Sequence, residues 1–128
     1  MSNPTIHQAG HEHAISEDAS ELLESHGVLW HGDHWTLGPG VIEPVDSFRV
    51  YSIACIAIME ELARMNIDFR LFAPTSGRDT RIYEGLDWNC CIYPGDFSVG
   101  KGWREVRVSG PTPLAALLAA HEAARKAK

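Results

Sequence analysis

Seven histidines in 128 residues, most of them in the first third, are the side chains with the widest chemical reach in this chain. His7, His11 and His13 fall within one short polar stretch, and His31 and His34 bracket Asp33. Imidazole nitrogen and carboxylate oxygen are the donors that hold zinc and similar divalent ions. His31, Asp33 and His34, joined by one N-terminal histidine, are therefore a candidate metal set. Their spacing matches no established ligand pattern, and a flexible arm loses conformational entropy when it closes on an ion. Surface histidines of no special role are the plain alternative.

The cysteines carry a second candidate chemistry. Cys90 or Cys91 with His121 would make a nucleophile and its base, since the helix bearing His121 must pack on the strand bearing the thiols. Neither cysteine has neighbours in sequence that lower a thiol pKa, so His121 reads as a hydrogen-bonded core histidine. Three cysteines is an odd number, and Cys90 and Cys91 point to opposite faces of one strand. Buried thiols in a reducing compartment are expected, without a disulfide.

Two further groups could bind without reacting. The loop Ser76-Gly77-Arg78-Asp79-Thr80-Arg81 offers Arg78 and Arg81 to a phosphate or carboxylate, but lacks the Gly-x-x-x-x-Gly-Lys-Ser/Thr order of a nucleotide loop. Of the four tryptophans, Trp88 is expected in the core. Trp30, Trp35 and Trp103 are candidate exposed anchors for a partner.

The elements that must position these residues follow from periodicity. Residues 1–14 have no apolar period and read as a flexible arm, ahead of a single α+β domain over 15–128. Ser16 is placed to cap a helix with Glu17 and Asp18 in its first turn. Ile15, Ala19, Leu22 and Leu23 form its stripe, and Gly27 its stop. Val28–Trp30 and His34–Leu37 around a Gly-Asp turn predict a hairpin, with an irregular loop as the alternative. Phe48, Tyr51, Cys55, Ile58, Leu62 and Met65 are spaced as a helical seam, with Asp46 or Ser52 as cap and Asn66 as end. Asp68–Ala73 alternates as a strand, as do Trp88–Tyr93 and Trp103–Val108. Thr112 caps a last helix with Pro113 at its first position and Leu114, Leu117, Leu118 and His121 on one stripe. Short loops between successive strands favour an antiparallel meander. The fold class is thus α+β: a small meander sheet packed with two long helices, plus a shorter N-terminal helix.

Composition sets outer bounds. A hydrophobic fraction of 45% and a charged fraction of 22% are those of a globular domain. The net charge of -6, from 17 acidic and 11 basic residues, argues against direct binding to a phosphate backbone. No apolar run approaches the roughly 20 residues of a membrane span. The start of the chain lacks a signal-peptide layout, so a cytoplasmic protein is expected.

The sequence Tyr51-Ser52 followed by helix, Trp88-x-Cys90-x-Ile92 on a strand, and Gly110-Pro111-Thr112-Pro113-Leu114-Ala115 opening an Ala-rich helix resembles the phage ABA-sandwich domain family over residues 46–127. That resemblance implies a phage or prophage protein working in the cytoplasm of a bacterial host. It carries over no catalytic residue. The expected function is that of a non-enzymatic accessory protein that binds a host protein or small signal molecule, in an anti-defence role, through Trp30, Trp35, Trp103 and the acidic face Glu17, Glu21 and Glu24, or through Arg78 and Arg81. A homo-oligomer is compatible with this. The alternative is a metal-binding protein or metal-dependent hydrolase built on His31, Asp33 and His34.

Overall fold

Three helix starts are fixed by hydroxyl side chains that take up otherwise orphaned backbone N–H groups. Ser16 Oγ accepts from Ala19 N at 3.2 Å and opens α1 (Glu17–Ser25). Ser47 Oγ accepts from Val50 N at 3.2 Å and opens α2 (Phe48–Arg64). Thr112 Oγ1 accepts from Ala115 N at 3.2 Å and opens α3 (Pro113–Lys126). The cap of α2 is thus Ser47, not Asp46 or Ser52. Gly27 (φ 79°) and Asn66 (φ 59°) follow α1 and α2 in the left-handed conformation that ends helices.

The computed structural model describes residues 4–8, 10–74, 87–94 and 105–127. The chain divides into two compact units, Met1–Ile58 and Met59–Lys128. Its described residues form three helices and three small antiparallel sheets, the α+β class with a meander, two long helices and a shorter first helix.

The first unit begins with a hairpin, β1 (Thr5–Gln8) and β2 (His11–Ala14), where a flexible arm was expected. Ile6 is fully buried and its cross-strand partner His13 is buried too, so one face of the hairpin joins the core. Polar composition hid this because only two of the side chains are needed as anchors. After α1, which buries Ala19 and Leu23, come β3 (Val28–Trp30), β4 (Trp35–Leu37) and β5 (Val41–Glu43) in that spatial order. His31 N donates to His34 O at 2.9 Å across the first turn, where Gly32 takes φ 95° as a two-residue hairpin requires. The turn Gly38-Pro39-Gly40 contains a cis Gly38–Pro39 bond and returns the chain as β5, a strand the sequence reading did not contain.

Helix α2 buries Val50, Tyr51, Ala54, Ala57, Ile58 and Leu62, while Phe48 stays 69% exposed. Of the expected seam, Tyr51, Ile58 and Leu62 are buried, Cys55 and Met65 are half-buried, and Phe48 is exposed.

In the second unit β6 (Asp68–Phe72), β7 (Trp88–Tyr93) and β8 (Val106–Gly110) form the antiparallel meander. β7 is its centre: Asn89, Cys90, Cys91 and Ile92 are all buried, so both faces of a strand expected to be half-buried are covered. Trp88 is only half-buried. Helix α3 packs on this sheet and buries Leu114, Ala116, Leu117, Ala120, His121 and Ala124. Small residues set that spacing. A Cβ added to Gly110 would stand 2.6 Å from Ala115 Cβ and 2.8 Å from the backbone of Ala115 and Ala116.

Candidate functional site

Apart from His26, whose Nδ1 lies 2.9 Å from Leu22 O at the end of α1, the histidines of the first unit separate into two groups. At the β3–β4 turn the imidazoles of His31 and His34 stack, with centroids 4.8 Å apart and planes 15° from parallel. Asp33 Oδ1 lies 2.6 Å from His34 Nδ1, and Thr36 Oγ1 lies 2.8 Å from His31 Nε2. Each ring thus uses one nitrogen on a neighbour from its own hairpin. Among the described residues no group of three or more His, Cys, Asp or Glu side chains could hold a metal ion.

This turn continues one face of the β3–β4–β5 sheet. Leu29, Thr36 and Ile42 lie in register across the three strands, with Leu29 45% and Ile42 71% exposed. The opposite face is inward. Val28 and Trp35 are each 1% exposed, and Trp30 packs against Trp35 with ring centroids 4.7 Å apart. Trp35 is therefore a core residue rather than an exposed anchor, because strand alternation sends it to the same side as Val28 and Leu37. Its Nε1 is buried without a hydrogen-bond partner among the described residues. Trp30 is half-buried at the edge of that cluster. Trp103, Arg78 and Arg81 lie outside the described residues.

The second group borders a groove of about 540 Å³ lined by His7, Gln8, Gly10, Val45, Asp46 and Phe48. Rings lead from the core to its rim. Buried His13 faces buried Tyr51 at 6.4 Å, and Tyr51 stacks on Phe48 at 6.5 Å with planes 14° apart. Burial, then repulsion from His11 and His7, pushes the pKa of His13 down. Glu43 is taken up locally: it accepts from Ser47 Oγ at 3.0 Å and from Arg49 at 3.3 Å, which ties β5 to the start of α2. Asp46 has no such partner among the described residues, is exposed, and lines the groove with Phe48.

This groove was absent from the sequence reading, which placed Phe48 in the helix seam and Asp46 at the cap. The signal was there in Val50, Ala54, Ala57, Ile58 and Leu62, an alternative helical stripe that omits Phe48.

In the second unit Arg70, Cys91 and Arg107 lie side by side across the meander. Two guanidiniums beside a thiol would ordinarily favour the thiolate. Burial, followed by the hydrogen bond to Glu105, nevertheless pushes the Cys91 pKa up, and Arg107 is engaged by Glu105 at 3.0 Å. Burial pushes Cys90 up to about 11. Neither thiol is poised as a nucleophile, and His121 is buried on the covered side of α3.

Comparison with protein-family models, with curated proteins and with solved structures finds no match to this chain. No helix among the described residues is long and apolar enough to cross a membrane.

Proposed function

We propose that this is a recognition protein: a non-enzymatic phage accessory protein that binds a host protein or signal molecule in the bacterial cytoplasm, in an anti-defence role. The observation that carries the reading is the pair of exposed apolar side chains Ile42, on the outward face of β5, and Phe48, at the start of α2, the latter lining an open groove. Exposed aromatic and branched side chains of this kind anchor partners, and a protein partner suits them better than a small polar molecule. The protonated, buried thiols support the same reading by leaving little with which to react. The resemblance of residues 46–127 to the phage ABA-sandwich domain family supports a setting inside a host cell. The surface differs from the tryptophan-centred one expected from sequence: Phe48 takes the place of buried Trp35.

Wild type and Phe48→Asp, each immobilised and exposed to the same bacterial lysate, test it. The expected result is a host component retained by wild type and by an Arg64→Ala control, and lost from Phe48→Asp at unchanged melting temperature. Identical retention by all three proteins overturns it.

A further inference from the structure

The free side of β5 and the groove at the start of α2 lie close together along the chain. β5 ends at Glu43, and Asp46 and Phe48 follow within five residues. Among the described residues no strand pairs with the outer side of β5. Edge strands are ordinarily blunted by lysine, proline or a covering element, and Val41-Ile42-Glu43 has no such guard within it. At the groove, Asp46 offers an exposed carboxylate that has no partner among the described residues, on the same lining as the exposed ring of Phe48. A carboxylate beside an aromatic face suits one chemistry above others, a cationic side chain that ion-pairs with the first and lies over the second. Gln8 supplies an amide oxygen as a further acceptor.

We infer that the partner presents an extended segment that adds a strand to β5 and places an arginine or lysine side chain in the groove between Asp46 and Phe48. The inference rests on the recognition role proposed above and specifies the chemistry of what is recognised. Three residues of an added strand span about 10 Å, the length of β5 itself. Strand addition draws affinity from the backbone and specificity from alternate side chains. A second copy of this chain is a poorer occupant, because pairing β5 with itself would bring together two molecules of net charge -6.

The test uses the full chain, isotope-labelled, and three short capped peptides of alternating threonine and valine: one with a central arginine, one with a central glutamate, and one with arginine and alternate prolines. The arginine peptide is expected to shift the amide signals of 41–43 and of Asp46, Ser47 and Phe48. Its affinity should fall about three- to fivefold in Asp46→Asn and in Phe48→Ala, and fall further as salt is raised. The proline peptide, unable to pair, should not bind. Equal binding of the glutamate peptide, shifts elsewhere on the protein, no shifts at all, or a dimer in sizing closed through β5 would each overturn the inference. Retention of a host protein that depends on Phe48, but is indifferent to Asp46→Asn and to competing arginine peptide, removes this inference and leaves the recognition role standing.

Discussion

Gly110, the last residue of β8, lies directly against Ala115 in the first turn of α3, so close that a single added carbon would meet backbone atoms at 2.8 Å. Neither neighbour can rotate away, because two of the three atoms in the way belong to the main chain. Gly110→Ala is therefore expected to destabilise by about 1–3 kcal/mol, as overpacking of a close contact does. A denaturant titration that leaves the midpoint unchanged would show that α3 has more room than this.

Ser47 caps α2 and also holds Glu43. Ser47→Ala should cost about 1 kcal/mol, whereas Ser52→Ala, inside the helix and without that duty, should cost close to nothing. Equal losses in urea unfolding would contradict the assignment of the cap.

The buried imidazole of His13 predicts acid sensitivity. Burial, and then His11 and His7, lower its pKa in the folded protein, so folding favours the neutral ring. The stability tied to that neutral ring is fully present above the unfolded value of about 6.5 and is lost as pH falls through the lower folded value. Between pH 7.5 and 5 the wild type should lose stability faster than His13→Phe, which keeps a ring against Tyr51 and carries no proton to gain. Parallel curves for the two proteins would remove His13 as the cause.

The thiols make the fourth expectation. Burial pushes Cys55 and Cys90 up to about 11 and raises Cys91 as well. At pH 8 a thiol reagent should react slowly with the folded protein and should count all three cysteines after unfolding. Rapid reaction of one thiol in the native state would identify an exposed nucleophile and weaken the case against catalysis.

Much of the architecture was legible in the sequence, because capping and periodicity are local. Ser16, Thr112-Pro113, Gly27 and Asn66 mark helix ends by their own backbone preferences, and Phe69/Leu71 and Cys90/Ile92 alternate as strand residues must. What escaped depended on tertiary partners. Residues 4–14 are too polar to show a period, yet Ile6 and His13 suffice to pin a hairpin. The fate of Phe48 turned on which of two overlapping stripes faces inward: the one through Val50, Ala54, Ala57, Ile58 and Leu62 does, and Phe48 falls outside it. Trp30 and Trp35 could not be sorted from their neighbours by type. Only the pairing register, Trp30 opposite Trp35, shows that both sit on the inward side. The His31–Asp33–His34 cluster was visible as a grouping, while its ring stacking and its bonds to Thr36 and within the turn are geometric facts with no imprint on the sequence.

The exposed face of the β3–β4–β5 sheet also bears on handling. With Leu29 and Ile42 in the open, concentrated stocks should creep toward aggregates stacked face to face, apart from any pairing along β5, and do so faster as salt masks the acidic surface. Ile42→Lys would act as a solubility tag one residue long: because that side chain is 71% exposed, the exchange alters shelf life while leaving the interior untouched.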